Sequence, residues 1–364
     1  MAAGLEAGGH GGDLVAAAER FGISPAEFYD FSSNINPLGP PAGLLEELKK
    51  HLDDDIQNYP TPHARKLRRT LAYSLNIAEE RLIVGNGANE LIHLFFLWKR
   101  PSRVIIPSPS FAEYERAARL VGARVELLSL SLESPTQDLH LPIESLSSKD
   151  VLVFCNPNNP TGISYPSEFL NKILEEAKAR GVTVFLDESF FLFTGKPLED
   201  SFSYSNYPNL WTVTSLTKLW ALPGLRLGYM IGPPQEVNLL TKNGDPWRVN
   251  APAQRAGLFC LSQKDHLSRS LEFIRRERNF LKEELLQLEK LKVYNGEANF
   301  LLVRGEQEGF SSAKLCDELA SRAFLIRDAS NYPGLDERYF RIAIKSRREN
   351  EKLIKGLREV LQKI

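Results

Sequence analysis

Lys218 closes the run Ser215-Leu216-Thr217-Lys218, and Arg226 stands eight residues further on. A lysine amine becomes a nucleophile only when it loses its proton, and an imine link to an aldehyde cofactor such as pyridoxal phosphate both achieves this and supplies an electron sink. On its own, a lysine after a strand reads as a solvated surface residue. Its companions change that reading. Gly85-Asn86-Gly87-Ala88-Asn89-Glu90 follows an apolar run and opens a helical pattern, so the backbone amides at Gly87, Ala88 and Asn89 and the helix dipole suit a phosphate. Ser215 and Arg226 would complete that phosphate site as a hydroxyl donor and a charge. Asp187 ends the run 182–186 and is placed to face a ligand crevice, where its carboxylate would hold a ring nitrogen protonated. In Cys155-Asn156-Pro157-Asn158-Asn159-Pro160-Thr161-Gly162 two prolines stiffen a loop that presents Asn159 as a donor to a ring hydroxyl. Phe111, in Pro109-Ser110-Phe111, can stack on the ring face, although an aromatic residue there also reads as core.

These residues need a frame that brings distant segments together. Short β-rich runs at 82–84, 104–106, 125–128, 151–155, 182–186, 210–214 and 227–231 alternate with helical patterns. That alternation predicts an α/β fold whose mostly parallel central sheet is flanked by helices. After Pro246 the pattern changes to a long helix over about 265–290, strands at 299–303, 324–327 and 340–344, and a final helix striped by Leu353, Ile354, Leu357, Val360 and Leu361. The expected organisation is an N-terminal arm with a substrate-site segment over 1–44, a large domain over 45–245 and a smaller α+β domain over 246–364. At 364 residues the chain exceeds what one core usually spans.

Composition excludes several classes. Lys plus Arg number 45 against 46 Asp plus Glu, with no basic stripe, so nucleic acid is not an expected partner. The longest apolar stretch, 91–98, is far short of the roughly 20 residues of a membrane span. The first residues show neither a basic nor an apolar leader segment, and a cytoplasmic location is expected. Cys155, Cys260 and Cys316 are widely spaced and read as reduced core thiols, with no metal site indicated.

Taken together, Asn159, Asp187 at 28 residues, Lys218 at 31 more and Arg226 at eight more resemble the fold-type I pyridoxal-phosphate enzymes of the aspartate-aminotransferase superfamily. Within it the chain most resembles the threonine-phosphate decarboxylases of the cobalamin pathway, with histidinol-phosphate aminotransferases as near cousins. The segments that carry this are 9–12 (Gly-His-Gly-Gly), 30–40, 221–229 and 331–336. The resemblance implies bound pyridoxal 5'-phosphate, a phosphorylated amino acid as substrate, and a homodimer in which Tyr59 reaches the neighbouring subunit's cofactor phosphate. It also implies that His10, Asn36, Arg327 and Arg341 hold the substrate's anionic groups, a task that suits arginine's planar fork. One departure separates two activities. Aminotransferase relatives carry a tyrosine three residues after the ring-nitrogen aspartate, whereas this chain reads Asp187-Glu188-Ser189-Phe190, a pattern similar to the decarboxylases. The implied reaction is decarboxylation of L-threonine O-3-phosphate. L-serine O-phosphate as substrate, a histidinol-phosphate-type aminotransferase, and a cofactor-fold regulator without catalysis stand beside it.

Overall fold

The computed structural model describes residues 11–137 and 139–363. Along the chain, α1 (Leu14–Phe21) and β1 (Tyr29–Asp30) precede α2 (Leu44–Gln57) and α3 (Arg65–Ser74). A doubly wound stretch follows: β2 (Leu82–Gly85), α4 (Ala88–Lys99), β3 (Arg103–Ser108), α5 (Ala112–Leu120), β4 (Arg124–Ser129), β5 (Asp150–Cys155), α6 (Ser167–Ala179), β6 (Thr183–Asp187), β7 (Leu210–Ser215) and β8 (Gly228–Ile231). These seven strands form one sheet in the order β2-β8-β7-β6-β5-β3-β4. Only β8 runs against its neighbours. The expected mostly parallel sheet is therefore present.

Strands covered on both faces read as near-continuous apolar runs, and every residue of β2, β5, β6, β7 and β8 is buried. Strand alternation divides them between layers. Ile83, Val153, Phe185, Trp211 and Met230 pack with α4, α5 and the helix α7 (Pro234–Asn243), whereas Leu82, Val84, Tyr229 and Ile231 pack with α2, α3 and the helix α8 (Ala251–Leu261).

The long helix is α9 (Lys264–Leu286). Beyond it come β9 (Leu291–Val293), β10 (Phe300–Gly305), α10 (Ser312–Ala320), β11 (Phe324–Leu325), β12 (Arg327–Asp328), β13 (Tyr339–Ala343) and α11 (Arg347–Leu361); all of these strands but β11 form a second, four-stranded sheet in the order β12-β13-β10-β9. The strand expected over 324–327 is two. β11 pairs in parallel with β1, whereas β12 pairs antiparallel with β13, so the chain changes sheets at Ile326. A run of β-formers does not reveal which neighbour each half will find. α11 starts with a capping box, Ser346 and Glu349, and buries the stripe Leu353, Ile354, Leu357, Val360 and Leu361. Truncating Leu357, fully buried there, would cost about 2–5 kcal/mol. Among the described residues no helix is long and apolar enough to cross a membrane.

Candidate active site

The chemistry-bearing residues converge at the carboxyl edge of the large sheet, where ligands bind in open parallel sheets. Register puts their strands at one level: Cys155 pairs with Asp187, Asp187 with Val213, Ser215 with Gly228, and Gly228 with Gly85. Above this edge lies a cavity of about 320 Å³. Ala88, Asn89, Phe111, Asn159, Asp187, Ser215, Lys218 and Arg226 line it, together with Arg327 and Arg341 from the smaller sheet.

Gly87 precedes α4 with φ +84°, and a Cβ there would stand 2.6 Å from Arg226 Nη2. Only glycine lets the guanidinium lie against this turn. Gly228 does the same for β8, since a Cβ would sit 2.8 Å from Ala88 N. The first turn of α4 has no intrahelical acceptor for its N–H groups, and Arg226 adds a cation beside them. Asn89 Oδ1 is buried without a partner. A cradle of backbone amides beside a guanidinium fits the phosphate of pyridoxal phosphate.

Lys218 is half-buried, and burial first, then the Arg341 and Arg226 cations, lowers its amine to about 8, against the pull of Asp187. Roughly a tenth of such amines is neutral at pH 7, against less than a thousandth for an ordinary lysine. Asp187 is buried at the end of β6. Its Oδ2 accepts from the Tyr114 hydroxyl at 2.7 Å and its Oδ1 from Ser189 N at 2.8 Å. Burial pushes this carboxyl up, while Ser189, Tyr114 and Lys218 oppose the shift. A protonated ring nitrogen is the partner such a carboxylate lacks.

Arg341 is buried on β13. Its Nη1 donates to Asn159 Oδ1 at 2.6 Å and its Nη2 to Ser32 O at 2.9 Å, while Nε has no partner. Because a guanidinium only donates, Asn159 must turn its oxygen toward Arg341, which leaves Nδ2 to donate elsewhere. Arg327 donates to Asn331 Oδ1 at 3.1 Å. Both arginines thus direct their hydrogen bonds to neutral oxygens and keep their charge for an anion.

Residues 26–357 match the family "Aminotransferase class I and II". The chain belongs to this family. It is 37% identical over 97% of its length to threonine-phosphate decarboxylase of Salmonella typhimurium, covering 96% of that protein. The crystal structure of histidinol-phosphate aminotransferase from Clostridium acetobutylicum superposes with a TM-score of 0.80 at 32% identity, over 92% of this chain and 99% of that one. The structure of L-threonine-O-3-phosphate decarboxylase from Porphyromonas gingivalis gives the same TM-score at 29% identity, over 91% and 99%.

Within this class I and II aminotransferase fold, two of the expected residues, Asn36 and Tyr59, are not among those that line this cavity. The structure does not bring Asn36 to the cavity: Nδ2 donates to Leu219 O and Ser270 Oγ, both at 2.8 Å, and Oδ1 accepts from Leu38 N. Its backbone N donates to Lys218 O at 3.0 Å, so Asn36 positions the lysine's peptide. Asn34 is the member of that segment that lines the cavity, with Oδ1 buried and unpartnered. Tyr59, expected to serve a neighbouring subunit, is 83% exposed, its ring 5.1 Å from that of Trp247. His10 lies outside the described residues; the adjacent Gly11 lines the cavity, where a Cβ would stand 2.3 Å from Ser32 O.

Tyr114, Ser189 and Tyr332 also line the cavity and were not among the expected residues. Tyr332 belongs to the segment 331–336 that carried the resemblance, and Tyr114 stands one helical turn after Phe111. That spacing is the signal that could have found it. Phe190, in place of a phenol, lines the cavity and sets its ring edge-on to Phe300 at 5.0 Å.

Proposed function

We propose that this chain is a pyridoxal-5'-phosphate-dependent carbon-carbon lyase that decarboxylates L-threonine O-3-phosphate to aminopropanol phosphate, a precursor of the corrinoid side chain of cobalamin. The observation that carries the reading is the pair of guanidiniums, Arg327 and Arg341, meeting Lys218 in one cavity with no carboxylate hydrogen-bond partner among the described residues. A substrate with two anionic ends suits such a cavity. The likeness to the Salmonella enzyme supports the same assignment.

Gly87, Ala88, Asn89, Ser215 and Arg226 would hold the cofactor phosphate, Asp187 the proton on the ring nitrogen, Asn159 the ring oxygen and Phe111 the ring face. When bound, pyridoxal phosphate supplies an electron sink conjugated to the substrate's Cα. Arg341, Arg327 and His10 bind the carboxylate and phosphate ends and so set which Cα bond stands perpendicular to the ring. Phe190 and Tyr332 line the same cavity and would narrow the space left for water around the substrate. After carbon dioxide leaves, Lys218 Nζ is the group placed to deliver a proton to Cα. Tyr59 extends to the cofactor phosphate of a second copy, making the working unit a homodimer with shared sites.

An aminotransferase acting on histidinol phosphate is the second reading, favoured by the Clostridium structure. One experiment separates them: threonine phosphate is mixed with the protein with and without a 2-oxo acid. Carbon dioxide release without oxo acid supports the decarboxylase; strict oxo-acid dependence rejects it. Serine phosphate, lacking one methyl, should be disfavoured by only about 1–3 kcal/mol.

A further inference from the structure

We infer that Tyr114 is a positioning residue of the cofactor site, whose hydroxyl, donated to Asp187 Oδ2 at 2.7 Å, fixes the carboxylate in the orientation and ionised form that a ring nitrogen requires. The inference rests on the pyridoxal-phosphate reading above and adds a residue to it.

Asp187 receives one protein donor on each oxygen, from two independent elements. Tyr114 comes from the first turn of α5, and Ser189 N from the turn after β6. Two donors, one per oxygen, are matched fully by a carboxylate and only partly by a carboxylic acid, whose hydroxyl oxygen is a poor acceptor. Tyr114 is fully buried, and its ring is wedged between Phe111 (5.6 Å, 82°) and Phe185 of β6 (6.5 Å, 65°). One side chain thereby sets both the residue proposed against the ring face and the one proposed against the ring nitrogen. The nearby Cys155 thiol donates to Pro157 O at 3.2 Å. Burial, and next the Asp187 charge, pushes the Tyr114 phenol well above its ordinary value, so it stays a donor.

A tyrosine that only fills the core would give the same packing without the electrostatic consequence, and substitutions separate the two roles. Apo-protein is titrated with pyridoxal phosphate, following the visible absorbance band, for wild type, Tyr114→Phe, Tyr165→Phe, Asp187→Asn and the Tyr114→Phe/Asp187→Asn double variant; melting temperature is recorded for each. Tyr165 is the control, a buried tyrosine packed against Phe154 and Phe169. Losing a hydrogen bond to a charged group should weaken cofactor binding by about tenfold in Tyr114→Phe. Tyr165→Phe should change it by less than about twofold at a comparable melting shift. The double variant should bind no more weakly than Asp187→Asn alone, because Tyr114 acts through that carboxylate. Equal affinity in Tyr114→Phe and wild type, or losses that multiply in the double variant, overturns the inference while leaving the cofactor reading intact. Absence of any cofactor band in wild type overturns both.

Discussion

Two cavities flank the same pair of strand ends. Side chains alternate across the termini of β6 and β7, so Asp187, Ser189 and Ser215 face the cavity of about 320 Å³, while Glu188, Thr214 and Leu216 face a second one of about 740 Å³; in the turn after β7, Lys218 enters the first and Trp220 the second. The larger space is walled mainly by Leu71, Leu75, Ile77, Leu192 and Leu267. Its buried carboxylate is fully matched: Glu188 accepts from Ser201 Oγ, Phe202 N, Ser203 N and Ser203 Oγ at 2.7–3.1 Å. The smaller cavity is the opposite case. It holds Lys218 and three arginines, with Asn34 Oδ1, Asn89 Oδ1 and Arg341 Nε unpartnered. Adjacent residues, Asp187 and Glu188, thus belong to different problems, one chemical and one structural. Volume does not nominate the site; unsatisfied polarity does.

The sharpest way to break this contrast is Lys218→Ala. Carbon dioxide release from threonine phosphate should fall by about three orders of magnitude or more, and the visible band should vanish. Near-wild-type turnover would place the chemistry elsewhere. Arg341→Ala comes next: losing a buried cation that pairs with a substrate anion should raise KM about a hundredfold in steady-state assays, and an unchanged KM would remove Arg341 from substrate binding.

Effects of about tenfold follow. Gly87→Ala places a Cβ against Arg226 and should speed cofactor loss on dialysis by about that factor. The low value of Lys218 makes cofactor uptake by apo-protein pH-dependent. The uptake rate should climb about tenfold per unit below pH 8 and flatten above it, whereas an ordinary lysine would keep climbing beyond pH 9. The sign for stability agrees: the folded value lies below the unfolded 10.5, so the unfolded chain binds more protons between about pH 8 and 10.5. This group's contribution to apo-protein stability rises with pH across that window. The smallest catalytic effect belongs to the other cavity. Glu188→Gln should leave kcat/KM within about twofold while lowering Tm by about 2–4 °C, because an amide cannot accept all four bonds. A large catalytic loss there would erase the distinction between the two faces.

Much of this was legible beforehand. Lys218, Asp187, Asn159 and the Gly87 turn each follow a strand-like run, and a parallel sheet brings such ends to one edge; Arg226 instead precedes β8, which starts at that edge because it runs antiparallel. Arg327 and Arg341 also meet that cavity. The family resemblance implies a substrate ligand at Asn36, yet its amide is occupied by Leu219 and Ser270, 183 and 234 residues away. Asn34, two positions earlier, takes the cavity. A loop without strand or helix periodicity carries no rule for which side chain points inward. Tyr114 carries one local mark, its place one helical turn after Phe111, while the partner that gives it a role is 73 residues away.

By itself the sequence determined the succession of buried strands and helices, since apolar periodicity and turn residues act locally. It also determined which strand ends carry a charge or an amide. Tertiary packing alone decided that the run 324–327 would be shared by two sheets, that Asn34 rather than Asn36 would face the cavity, and that a phenol from α5 would meet Asp187. Those outcomes depend on which backbones approach one another across long separations, and no local pattern specifies them.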